Sequence, residues 1–117
     1  MARKALSSGA PAHLSAEMVA WWRSLSRRYK FQPQHQRLLE AACDAWDRMV
    51  QARAEILRDG ITTTDRFGAA RPHPAIAIER DSRIGFVRCV RELALADDEL
   101  PSESRPPRLL GRYAGRD

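Results

Sequence analysis

The 117-residue chain is short of everything that most enzymes need. The segment from Gly60 to Gly68 lacks the Gly-Lys-Ser/Thr ending of a phosphate-binding loop. The three histidines, His13, His35 and His73, are far apart and share no metal-ligand spacing with either cysteine. No Ser-His-Asp or Cys-His arrangement stands out. Glu79 and Asp81 are two apart on an expected helix, so they point in different directions and read as partners for nearby arginines. No catalytic residue, metal or cofactor is expected. No apolar run approaches the ~20 residues of a membrane helix. The opening residues, MARKALSSGAPAH, have no apolar stretch of the kind a secretory signal carries. Cysteine is scarce as well. Cys43 and Cys89 sit among apolar neighbours in expected helices and read as reduced core thiols of a cytosolic protein. No internal repeat is visible.

Lysine is also nearly absent, and arginine takes its place. Of 20 Lys and Arg, against 15 Asp and Glu, all but Lys4 and Lys30 are Arg, giving a net charge of +5. Arginine suits bidentate phosphate contacts, so an anionic partner is expected, with nucleic acid ahead of a membrane surface. The length fits one domain with a small core, which favours self-association.

The pattern along the chain is mainly α: three helices, with a short β-hairpin between the second and third and flexible termini. Residues 1–13 read as a flexible basic arm carrying Arg3 and Lys4. Residues 14–96 form the expected helical domain. Its first helix opens at Ser15 as N-cap with Glu17 in the first turn. Met18, Trp21, Trp22, Leu25 and Tyr29 form its apolar stripe, and Arg23, Arg27 and Lys30 fall opposite. The helix fades before Pro33.

The second helix runs from Pro33 to about Asp59, ended by Gly60. Leu39, Ala42, Cys43, Trp46, Met49, Val50 and Leu57 make its apolar side, and Asp44 and Arg48 are spaced as a pair. At ~39 Å it is long enough to overhang its own domain or meet another subunit. Residues 61–72 read as the hairpin. Ile61 to Thr64 form one strand, Asp65 to Gly68 the turn, and Ala69 to Arg71 the return, ended by Pro72. A lone hairpin is marginal and needs neighbours. The third helix starts around Pro74 and runs to about Leu95. Ile76, Phe86, Cys89, Val90 and Leu93 lie on one face, with Val87 at its margin. Arg80, Arg88, Arg91 and Ile84 cluster near the other. Gly85 within it implies close helix packing or a tolerated weakness. Residues 97–117 read as a disordered tail, acidic and then basic.

Four segments occur in order: Leu14-Ser15-Ala16-Glu17 through Trp21-Trp22; Leu38 to Ala42 with Ala45 to Arg48; Thr64-Asp65-Arg66-Phe67-Gly68; and His73 to Asp81. Together they resemble the small terminase subunit of tailed bacteriophages, in the branch with a TDRFG…HPA…ERD…F…REL signature, over roughly Leu14 to Leu95. The resemblance implies a mostly helical, ring-forming homo-oligomer in the cytoplasm of a bacterial host. It also implies recognition of viral double-stranded DNA and delivery to the large terminase subunit, which carries the ATPase and nuclease. The short stretch before Leu14 departs from expectation, because it leaves little room for a separate DNA-binding domain.

On this reading the candidate DNA contacts are Arg3 and Lys4 in the arm, Arg23, Arg27 and Lys30 on the first helix, and Arg66 and Arg71 on the hairpin. The candidate oligomer interface is Ile61, Thr63, Phe67, Ile76, Phe86 and Val90. Arg105, Arg108 and Arg112 of the tail are candidates for docking a partner. Two other readings stay open. One is a helix-turn-helix regulator that presents Gln34, Gln36 and Arg37 at the start of the second helix. The other is an adaptor that binds another packaging protein without touching DNA.

Overall fold

The structure is a computed structural model that describes residues 9–95. Three helices and a two-stranded hairpin follow one another: α1 (Ala16–Arg28), α2 (Pro33–Asp59), β1 (Thr62–Thr64), β2 (Ala70–Pro72) and α3 (Pro74–Leu93). The helical scaffold is the α2–α3 pair, joined at one end by the hairpin. α1 packs on the end of α2 away from it, where Leu14, Met18, Trp22 and Leu25 cluster with Leu39 and Cys43 of α2 and Leu93 of α3.

Each helix begins where its local chemistry supplies a cap. The Ser15 Oγ accepts the Met18 N–H at 3.2 Å, satisfying one of the free donors of the first turn. Pro33 and Pro74 each stand in the first turn, where a missing N–H costs nothing. The Gln32 N–H donates to His35 Nδ1 at 3.2 Å. At α3 the cap is His73, whose Nδ1 accepts the Ala75 N–H at 2.9 Å. The ring's proton therefore sits on Nε2, which donates to Asp59 at 2.9 Å. This buried histidine links the end of α2 to the start of α3 across the hairpin. α2 ends at Gly60, with φ +88° and ψ 170°, a conformation open in practice to glycine alone.

The hairpin is antiparallel, pairing Thr62 with Pro72, Thr63 with Arg71 and Thr64 with Ala70. Its strands differ by one residue from the sequence expectation: the first loses Ile61, and the return strand moves from Ala69–Arg71 to Ala70–Pro72. Pro72 is tolerated because a two-stranded sheet has only edge strands. The base is closed by His73 N–H donating to the Ile61 carbonyl at 2.8 Å.

Three further expectations are corrected, and one open alternative, at Gly85, is decided. α3 stops at Leu93, because Ala94 turns left-handed at φ +51°. Val50 and Leu57, assigned to the apolar side of α2, are 43% and 87% exposed. α1 has 13 residues and α2 has 27, about 20 Å against about 40 Å, so α1 cannot cover the whole stripe. Gly85 has open space where a Cβ would stand, so close packing does not explain it. Residues 9–13, placed in the arm, include Ala10 packed against the core and His13 bonded to α2.

Candidate functional site

Two regions hold the residues that the sequence singles out: the α1 end of the helical pair and the hairpin tip. At the first, polar links fix α1 on α2. The carboxylate of Asp47 accepts the Ser15 N–H at 2.8 Å and the Ser15 hydroxyl at 2.6 Å. It thereby lies at the helix N-terminus, where a negative charge is favoured. The Trp46 indole N–H donates to Glu17 at 3.1 Å. His13 Nε2 lies 2.6 Å from Asp44 and 4.0 Å from Glu40. Asp44 thus pairs with His13, where the sequence spacing pointed to Arg48. The donor atoms of His13, Glu40 and Asp44 lie within 4.8 Å of one another, so these three residues could hold a cation. This grouping was missed in the sequence because His13 is 31 residues from Asp44.

Cys43 is fully buried under this junction, and its thiol is pushed up to about 12, first by burial and then by Asp47, Asp44 and Glu40. Such a thiol is inert. Cys43 and Cys89 are both free.

Arg23 and Arg27 are one helical turn apart on the exposed face of α1, opposite Met18 and Leu25. Neither has an ion pair among the described residues, and both are open to an anion. Lys30 is exposed just beyond the helix end. Gln34, Gln36 and Arg37 are likewise exposed in the first turns of α2.

The hairpin tip is organised by one carboxylate. Asp65 accepts the Phe67 N–H at 2.8 Å, the Ala69 N–H at 2.9 Å and the Arg71 Nε–H at 3.1 Å. These bonds hold its pKa below the ordinary carboxylate range, the Ala69 amide contributing most. Arg71 is therefore committed to the turn. Arg66 lies 5.2 Å from the centre of the Phe67 ring. Phe67 itself is 81% exposed and Ile61 65%.

The other candidate interface residues are placed differently. Thr63, Ile76, Phe86 and Val90 are all half-buried. Phe86 packs between Trp21 and Trp46, at ring separations of 5.7 and 5.1 Å. With Val90, Met18 and Glu17 these aromatics line an open groove of about 360 Å³ between the three helices. Sequence reading put Phe86 and Val90 on one face but gave no sign of the groove, which needs Trp21 and Trp46 from two other helices. Arg3, Lys4, Arg105, Arg108 and Arg112 lie outside the described residues.

The acidic neighbours on α3 are spoken for. Glu79 accepts from Arg83 at 3.2 Å and from Arg53 at 3.0 Å, which lowers its pKa. Asp81 pairs with Arg80 at 3.2 Å. This agrees with the reading of both as arginine partners.

A three-helix scaffold, an arginine face and an exposed hairpin leave the family open, and comparison with known proteins decides it. The model of the phage terminase small-subunit family matches residues 19–98. The chain belongs to that family. No curated protein and no solved structure matches it. The match to this terminase small subunit takes in nearly all of α1, the whole of α2 and α3, and the hairpin. No helix among the described residues is long and apolar enough to cross a membrane.

Proposed function

We propose that this terminase small subunit is the non-catalytic DNA-recognition and adaptor component of a viral genome-packaging motor. It assembles as a homo-oligomeric ring in the host cytoplasm, binds viral double-stranded DNA and delivers it to the large terminase subunit. The family match over residues 19–98 carries this reading. The disposition of charge supports it. Arg23 and Arg27 stand side by side on the exposed face of α1, a geometry suited to neighbouring phosphates. Each phosphate neutralised releases counterions, so binding weakens as salt rises. A ring repeats the same pair once per subunit and turns weak contacts into avidity. ATP hydrolysis and DNA cleavage fall to the large subunit.

The test measures affinity for duplex DNA by fluorescence anisotropy across a salt series. Two chains are compared, the unmodified one and one carrying Arg23→Ala with Arg27→Ala. The unmodified chain binds with a steep salt dependence. The double variant binds more weakly, and its slope of log affinity against log salt is shallower by about 2 per subunit engaged. Equal affinity and equal slope for the two chains would remove α1 from the DNA interface. Absence of DNA binding at low salt by the unmodified chain would defeat the recognition role.

A further inference from the structure

Among the described residues nothing occupies the groove between α1, α2 and α3, and the hairpin tip carries an aromatic side chain, Phe67, that is 81% exposed. We infer that Phe67 of one copy seats in the Trp21–Trp46–Phe86 groove of a second copy, with Arg66 meeting Glu17 at its rim. The inference rests on the proposed homo-oligomeric assembly and names its contact.

Chemistry matches on both sides. The groove of about 360 Å³ has room for an aromatic ring, and Met18, Trp21, Trp46, Phe86 and Val90 give it apolar walls. Aromatic rings gain from tilted contacts beyond the area they bury. Among the described residues Glu17 is the one acidic side chain on the wall, and its carboxyl group is already oriented by the Trp46 indole N–H at 3.1 Å. On the other side, Phe67 is 81% exposed and its neighbour Arg66 is a cation lying against the ring. A ring entering the groove brings this guanidinium to Glu17. The tip is also held in shape before it binds. Asp65 ties down the amides of Phe67 and Ala69, and Gly68 takes the turn at φ +85°. Preorganisation of this kind lowers the cost of ordering on association.

In the structure the tip does not fill the groove of its own chain: Phe67 stands 81% exposed at the end of the hairpin, whereas Phe86 lies 12 residues into α3 from Pro74, about 18 Å from the hairpin base at 1.5 Å per residue. A second copy can therefore supply the ring. Tip and groove are different surfaces, so the contact is heterologous. Each copy offers a free tip and a free groove to the next, and such contacts close into a ring where the rotation allows.

The experiment uses the full chain and measures mass by light scattering coupled to size exclusion, over a dilution series at fixed salt. Four variants are compared with the unmodified chain: Phe67→Ala, Glu17→Arg, Arg66→Glu, and Glu17→Arg with Arg66→Glu. Thermal melts of dilute samples check folding. Phe67 and Arg66 are exposed, so their variants keep the melting temperature of the dilute chain. Each single variant is expected to raise the concentration at which the assembly forms by tenfold or more, and the double swap to bring it back. An unchanged assembly in Phe67→Ala, or a double swap no better than its singles, overturns the seating and leaves the assembly itself standing. An unmodified chain that stays monomeric at every concentration overturns both.

Discussion

Leu39 and Leu57 lie 18 residues apart on α2, five turns at 3.6 residues per turn, and so occupy the same side of one helix. Leu39 is 0% exposed beneath α1, and Leu57 is 87% exposed beyond it. The same substitution at the two positions should therefore have opposite outcomes. Leu39→Ala removes three carbons from full burial, about 2.4 kcal/mol at ~0.8 kcal/mol each. The cavity left behind raises the cost to about 3 kcal/mol or more. At ~4–8 °C per kcal/mol for a domain of this size, melting falls by ~12–24 °C. Leu57→Ala removes the same atoms from water and changes the melting of a dilute sample by less than ~0.5 kcal/mol. Thermal unfolding followed by circular dichroism, at a concentration where the chain is monomeric, reads both. Equal losses at the two sites, or none at Leu39, would refute the packing of α1 over only half of α2. A loss at Leu57 confined to concentrated samples would locate part of the subunit contact on that bare stretch.

Other consequences are open to direct measurement. Gly60→Ala forces a Cβ into the φ +88° conformation that ends α2, at a cost of about 1–3 kcal/mol by thermal melt, although open space surrounds the site. Gly85→Ala, where a Cβ also meets open space, should raise the melting temperature of the monomer by the helix-propensity gain of about 0.5–1 kcal/mol; a loss seen only in the assembly would place a neighbouring subunit there. The carboxyls of Asp59, Asp65 and Glu79 are all held below their ordinary values, by Arg58 foremost, by the Ala69 amide and by Arg83 respectively. Their contribution is thus complete above the unfolded carboxylate range near pH ~4 and declines as pH falls through the lowered values; urea midpoints that rise on acidification below pH 4 would contradict the assigned pairs. Cys43, with its thiol at about 12, should resist alkylation at pH 8 in the native chain and react on unfolding; rapid native modification, located by mass spectrometry, would mean that the junction opens.

The elements were legible because their ends carry strong local chemistry. Ser15, Pro33, Gly60 and Pro74 mark helix boundaries through caps and forbidden conformations, and the structure places the boundaries at those residues. Spacing of apolar residues identified the faces of all three helices for the same reason. It failed at Val50 and Leu57, because periodicity states which side of a helix is apolar but not how far a partner helix extends along it. The spans of the hairpin strands were missed by one residue, and their register was not legible at all. Three successive threonines give no alternation to fix it, and the decisive bonds run from Asp65 to amides and a guanidinium further along the turn.

Long-range polar links were beyond sequence reading for a different reason. Asp44 has Arg48 four residues away, a favourable helical spacing, yet it faces His13 across the α1–α2 junction. Asp47 likewise meets Ser15, 32 residues distant. For Asp44 a tertiary partner competes with a helical neighbour. Asp47 meets the free donors at the start of α1, the Ser15 amide and hydroxyl, that solvent alone would otherwise satisfy. The same junction decides what is left for assembly. Fixing α1 this way brings Trp21 against Phe86 and places Glu17 beside Trp46, which creates the groove. It also leaves the far end of α2, where α3 packs on one side, uncovered by α1, with the hairpin beyond it. A chain that buries one end of its helical pair and exposes an aromatic tip at the other presents two unlike apolar surfaces. In the structure neither covers the other within one copy, since Phe67 stands 81% exposed. Association between unlike surfaces is the arrangement that a closed ring of identical subunits requires.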